Sequence, residues 1–206
     1  MNLKNKEEMR NLIWDTLERK KISKYPKNWH GRIPDFYGSD LAAGVLRSTA
    51  EWKKSSVIFS SPDSAQKKVR EYTLLDYKTL IMASPNLERG YILIRASDAR
   101  GNEKIASTKE GAFRFGETIE TFPKVDLVVE GSVAVDMSGG RLGKGKGYGD
   151  TEISHLFKEK SIDEDTVIAT TVHETQIVDK VPREVHDQKI NMIITPERVI
   201  GIGKGN

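Results

Sequence analysis

The chain has 206 residues, no cysteine, and 33 Lys and Arg against 30 Asp and Glu, for a net charge of +3. The missing cysteine excludes disulfides, thiolate metal sites and cysteine nucleophiles, and the near-balanced charge argues against a dedicated nucleic-acid binder. The length suits one α/β core, a single domain over 1–206; no apolar run approaches about 18 residues and MNLKNKEEMR lacks an apolar signal region, so a soluble cytoplasmic protein without a membrane segment is expected.

From about Asn5 to Lys21, Met9, Leu12, Ile13 and Leu17 recur at helical spacing, which predicts an amphipathic helix. Lys6 and Arg10 lie four apart on one face of it; as residues alone they read as ordinary surface cations. YPKNWHGRIPDFYGS, Tyr25 to Ser39, is aromatic-rich and broken by Pro26 and Pro34. Its rings either pack on the core, the reading favoured for Trp29, or line a pocket for a flat heteroaromatic ligand, an even choice for Phe36. Ser39 reads as the N-cap of a helix running to about Trp52.

SVIFSSP reads as a strand, Ser61 and Pro62 as the opening of a helix to about Leu75, and KTLIMAS as the next strand. Two strands joined by one helix make a parallel pair with a right-handed crossover. PNLERGYILI is expected to supply pocket wall, and Ser97 to Pro123 reads as loops and short elements. DLVVE, TVIATTV, KINMIIT and RVIGI supply further strands, with a helix from about Asp150 to Lys160. This alternation predicts a three-layer α/β/α fold, an open, mostly parallel sheet of Rossmann-like topology whose ligands bind at the carboxyl ends of strands.

The segment with most chemistry is GGRLGKGKGYGD, Gly139 to Asp150. Glycine lets backbone N–H groups converge on an anion, Arg141, Lys144 and Lys146 bring positive charge, and Asp150 is a carboxylate suited to Mg²⁺. A phosphate held between a strand and a helix N-terminus fits this composition. The spacing matches neither a Walker A loop nor a dinucleotide fingerprint, and a solvated basic hairpin tip is the competing reading.

The segment resembles the RLGxGxGYYD signature of the 5-formyltetrahydrofolate cyclo-ligase (methenyltetrahydrofolate synthetase) family, with Arg141, Leu142, Gly143, Gly145, Gly147, Tyr148 and Asp150 in register. Lys6 to Arg10 is similar to the family's amino-terminal KxxxR, VDLVVEGSVAVD to the strand before the loop, and HETQIVDKVP to a later segment. RIPxFxGS, GSVAV and TPxRVI place the resemblance nearest the branch of methenyltetrahydrofolate synthetase domain-containing proteins.

The resemblance implies an ATP- and Mg²⁺-dependent ligase that cyclises a reduced folate, 5-formyltetrahydrofolate, to 5,10-methenyltetrahydrofolate in one-carbon metabolism. Arg141, Lys144 and Lys146 would neutralise ATP phosphates, with Gly145 and Gly147 supplying N–H groups, Lys6 and Arg10 reaching the nucleotide, and Arg141 and Lys146 acting in catalysis. Tyr148 would contact nucleotide or pterin, Phe36 the folate, and Asp150 the metal. Asn191 stands where the family carries a second metal-side carboxylate, Gly149 where it carries a second Tyr, and PDSAQ where it carries an acidic ExxT segment, with Asp63 as a substitute by order alone. These departures motivate a second reading, a non-catalytic nucleotide or folate-binding module of the same fold. A monomer or weak homo-oligomer is expected, and no nucleic-acid partner.

The histidines carry less. His173 with Glu174 and His186 with Asp187 lack a metal-ligand spacing such as HExxH and read as surface or hydrogen-bonded residues.

Overall fold

The computed structural model describes residues 5–25, 29–84 and 87–203. Pro26, read as a helix breaker, and Pro85, the start of the segment read as pocket wall, lie outside them. The first helix, α1 (Lys6–Arg19), starts where Asn5 accepts the Glu8 N–H at 2.8 Å and buries Met9, Ile13, Trp14 and Leu17 on one face. The remaining helices are α2 (Ser39–Ser48), α3 (Ala50–Lys54), α4 (Lys67–Leu75), α5 (Glu103–Ala106), α6 (Lys109–Phe115) and α7 (Tyr148–Lys158).

Eight strands form one sheet: β1 (Val57–Ser60), β2 (Thr79–Ala83), β3 (Tyr91–Ile94), β4 (Glu117–Ile119), β5 (Leu127–Glu130), β8 (Val167–Thr171), β10 (Met192–Ile194) and β11 (Val199–Gly201). Their order is β11-β10-β8-β5-β1-β2-β3-β4. The run β10-β8-β5-β1-β2 is parallel; β3 and β11 join its two ends antiparallel, and β4 lies antiparallel to β3. A three-stranded sheet, β7 (Arg141–Leu142), β6 (Ala134–Asp136) and β9 (Ile177–Val178), stands beside it.

Strand alternation divides the core into two layers. Ile58, Leu127, Val129, Ala169 and Ile194 pack under α1, α2 and α4, with Trp29 buried in the same layer. Phe59, Val128, Ile168 and Ile193 face the opposite side, where Ile153 and Leu156 of α7 cover them. Helices on both faces give the expected three layers. Among the described residues, no helix is long and apolar enough to cross a membrane.

Local chemistry shifts several expected boundaries. Gly38, at φ 98°, precedes α2 instead of a Ser39 cap; Ser39 is buried, accepting from Lys24 Nζ and donating to Asp35. The single helix expected to Trp52 breaks at Thr49, whose extended backbone ends α2 and whose hydroxyl caps α3. A 3-10 turn at Ser64–Gln66 delays α4 to Lys67. YILI is a fully buried antiparallel strand and not merely a wall.

The largest change falls in VDLVVEGSVAVD. It is not one strand: β5 ends at Glu130 in the large sheet and β6 begins at Ala134 in the small one. Gln176, fully buried, holds the break open by donating to the carbonyls of Ser132 and Val133. The glycine segment therefore leaves β7, while β5 delivers Glu130 to the same place.

Candidate active site

The carboxyl ends of β1, β2 and β5 converge on a cavity of ≈ 70 Å³ roofed by the glycine segment and the first turn of α7. β1 leads into Ser61–Asp63, β2 into Ser84, and β5 ends with Glu130 and Gly131. The first of these loops is pinned from beneath. Arg70 on α4 is 2% exposed and donates to the backbone carbonyls of Ser61, Asp63 and Ser107. Burial lowers its pKa to about 10, against the pull of Asp63, so it stays charged at neutral pH.

Arg141 crosses the cavity floor at 4% exposure. Its Nη1 donates to the Gly131 carbonyl at 3.2 Å, and Nη2 lies 2.8 Å from Asp150 Oδ1. Burial opposes its charge, but Asp150 and Glu130 more than offset that and raise its pKa. Facing it are two buried carboxyls, Glu130 from the end of β5 and Glu152 from the first turns of α7. Burial pushes Glu130 up to about 8, with Arg141 opposing and Asp63 adding to the rise. Burial and then the neighbouring Glu130 push Glu152 upward too. At neutral pH the pair retains a proton, as two carboxyls at one buried site must.

The roof is held by hydrogen bonds to a single carboxylate. Asp136, 1% exposed, accepts the N–H groups of Ser138, Gly140 and Val181 and the Ser138 hydroxyl. Burial works against its charge, yet these donors hold its pKa below the ordinary carboxylate value. Beyond β7 the chain turns through Gly145 (φ 102°) and Gly147 (φ 71°), conformations open to glycine without strain. Gly147 is the N-cap of α7 and carries no side-chain cap, so the free N–H groups and positive dipole end of an 11-residue helix face the turn.

Cations gather around this turn. Arg10 Nε donates to the Gly143 carbonyl at 2.8 Å, and Lys6 Nζ lies 2.7 Å from Asp187 Oδ1. Both line a second cavity, ≈ 300 Å³, with Gly145, Gly147 and Asp150. Lys144 lies 3.1 Å from Asp63 Oδ1 and 6.0 Å from the Tyr148 ring centroid. Lys146 is exposed and makes no ion pair with the described residues. Asp150 Oδ1 also accepts the Gln188 N–H at 3.0 Å.

The structure thus brings Lys6, Arg10, Arg141, Lys144, Gly145, Gly147, Tyr148 and Asp150 around one pair of adjoining cavities, with Lys146 on the turn between them. Two residues are not brought there. Phe36 is 0% exposed in the core, its ring centroid 5.9 Å from that of His173, so it lines neither cavity. Asn191 lies just before β10, where its Oδ1 accepts the Ile168 N–H at 2.8 Å, and it shares no cavity with Asp150. Its amide stands in for a backbone acceptor between β8 and β10, which removes it from the metal set.

Asp63, placed by order alone, does line the floor cavity. Glu130, Glu152 and Arg70 are functional candidates that the sequence does not single out. Away from the floor, the described residues contain one group of three close enough for a cation, Glu184, His186 and Asp187. Lys6 already fills it, 3.3 Å from Glu184 and 2.7 Å from Asp187.

The 5-formyltetrahydrofolate cyclo-ligase family model matches residues 2–196. Methenyltetrahydrofolate synthase domain-containing protein of Bos taurus is 34% identical over 97% of this chain and 54% of its own length, and that of Homo sapiens is 32% identical over 97% and 54%. The chain therefore spans about half the length of these curated relatives. A 5-formyltetrahydrofolate cyclo-ligase of Mycolicibacterium smegmatis is 31% identical over 39% of each chain. Among solved structures, 5,10-methenyltetrahydrofolate synthetase of Aquifex aeolicus superposes with a TM-score of 0.61 at 21% identity, covering 98% of this chain and 94% of that one.

Proposed function

We propose that this chain, which belongs to the 5-formyltetrahydrofolate cyclo-ligase family, binds ATP on the glycine segment and uses it to close 5-formyltetrahydrofolate to 5,10-methenyltetrahydrofolate. The observation that carries this reading is the meeting of Arg10, Lys144 and Lys146 with the left-handed turns at Gly145 and Gly147 at the N-terminus of α7. Polyphosphate is the ligand that such a convergence of cations and N–H groups suits. The names of the relatives supply the folate half of the reading.

In the proposed reaction the formyl oxygen attacks the γ-phosphorus of ATP, and the P–O bond to ADP breaks. The second folate nitrogen then bonds to the formyl carbon and loses its proton, and phosphate leaves. Both nucleophiles belong to the substrate, so the protein positions groups and stabilises charge. Lys144 and Lys146 would hold the phosphates at the roof, with Arg141 adding charge from the floor. Tyr148 borders the floor cavity, where it would contact either substrate.

Mg²⁺, when bound, neutralises phosphate oxygens. Asp150 fits as its carboxylate, being half-buried at the start of α7, and one carboxylate with phosphate oxygens is an ordinary Mg²⁺ set. Asn191 contributes nothing to that set.

The second reading, a binding module without turnover, is favoured by one observation: Arg141 and Lys144 are already ion-paired to Asp150 and Asp63. The deciding experiment measures ADP release and the methenyl chromophore with ATP, Mg²⁺ and 5-formyltetrahydrofolate. Folate-dependent release of both supports the ligase. Nucleotide binding with neither product supports the module.

A further inference from the structure

The floor cavity is nearly shut, although three strand ends open toward it. Its volume of ≈ 70 Å³ lies well below the roughly 300–1,000 Å³ of pockets that hold small molecules. Lys144, on the roof, reaches down to the loop that follows β1, where its Nζ lies 3.1 Å from Asp63 Oδ1. The same Nζ stands 6.0 Å from the centroid of the Tyr148 ring, so one ammonium holds the floor loop and the first turn of α7 together. All three residues line the cavity.

The two ends of this ion pair differ in freedom. Asp63 is fixed: buried Arg70 holds its backbone carbonyl and that of Ser61, and its Oδ2 lies only 2.8 Å from where a Cβ on Gly131 would stand. Lys144 is free to swing. Its side chain is 27% exposed on a flexible four-carbon stem, and it sits between Gly143 and the left-handed Gly145. Arg141, the other paired cation of the glycine segment, has no such freedom, with a side chain 2% exposed and Nη1 on the Gly131 carbonyl. A partly exposed ion pair is weak because water competes for both partners. A polyphosphate at the N-terminus of α7 carries several negative charges and attracts the ammonium more strongly than one carboxylate does.

We propose that the Lys144–Asp63 ion pair is a latch: it keeps the floor cavity shut until a polyphosphate on the roof draws Lys144 off Asp63, so that nucleotide binds before the second substrate enters. Rotation of one side chain releases it, and Tyr148 loses its cation in the same movement. Linkage makes the coupling reciprocal, each ligand raising the affinity for the other by one factor. That the second substrate is a reduced folate rests on the function proposed above; the latch itself rests on the ion pair and the closed cavity.

The test has two readouts on the full chain. The first needs no folate: the ¹³C signal of the Asp63 carboxyl is followed while tripolyphosphate and Mg²⁺ are added. It is expected to move toward the position that Lys144→Gln gives it without ligand; a signal that stays in place overturns the latch. The second is calorimetric titration of 5-formyltetrahydrofolate with and without a saturating non-hydrolysable ATP analogue. Wild-type affinity is expected to rise about tenfold with the analogue, and the ratio to fall to about one in Asp63→Asn and in Lys144→Gln. Because the ratio compares each chain with itself, a direct contact between Asp63 and substrate cancels. Equal wild-type affinity in the two conditions overturns the proposal even if a variant fails to fold, and so does an undiminished ratio in both variants. Folate turnover without coupling leaves the ligase standing and removes the latch. A displaced Asp63 signal in a chain that binds no folate under either condition supports the latch and contradicts the folate reading.

Discussion

Gly149 and Arg141 compete for one volume: a Cβ on Gly149 would stand 2.9 Å from Arg141 Nη1 and 3.1 Å from Cζ. The tyrosine that the family signature carries at this place has no room while the guanidinium crosses the floor. Gly149 is thus the counterpart of a buried Arg141 paired with Asp150, and not merely a lost ring.

Gly149→Ala is therefore expected to push Arg141 off its partners and cost about 2 kcal/mol, the scale of a strained overpacking. Chemical denaturation measures it. A change within the scatter of surface substitutions would show that the guanidinium moves aside without loss.

The buried carboxyl pair predicts an unusual pH dependence. Unfolded, Glu130 releases its proton in the ordinary carboxylate range; folded, it holds the proton up to about 8 because it is buried. Unfolding thus releases a proton across that interval, and stability falls as pH rises from about 5 to about 8. One proton corresponds to about 1.4 kcal/mol per pH unit. Urea midpoints followed over this range should decline in the wild-type chain and decline less in Glu130→Gln, where Glu152 is still raised by its own burial but no longer by a neighbouring carboxyl.

Asp136→Ala leaves the N–H groups of Ser138, Gly140 and Val181 without their acceptor in a buried turn. The expected cost is about 3 kcal/mol, with faster amide exchange at Gly139 and Gly140 as the local readout. Because its donors depress the Asp136 pKa, its stabilisation is present above the ordinary carboxylate range and lost on acidification below it.

The large sheet is legible in the sequence because its central strands are short apolar runs, and α1 because its apolar residues recur at helical spacing. YILI does not declare itself a strand, because four consecutive buried residues show no alternation. The roof is legible through its glycines and cations, which are local in sequence. The floor is not. Glu130 ends an apolar run and Glu152 sits in an amphipathic helix, where each reads as a solvated carboxylate. Only the crossing of β5 beneath α7 buries them together. Asn191 fails as a ligand for a similar reason: its position in the motif is right, but its amide completes the β8–β10 hydrogen bonding.

Lys146 provides the most direct test of the central claim that this turn binds polyphosphate. It is exposed and without an ion pair among the described residues, so Lys146→Ala should change stability by no more than about 0.5 kcal/mol. Calorimetric titration with ATP and Mg²⁺ should show binding to the wild-type chain that weakens about tenfold in the variant. Equal affinity in the two proteins, or no nucleotide binding by either, would contradict the account.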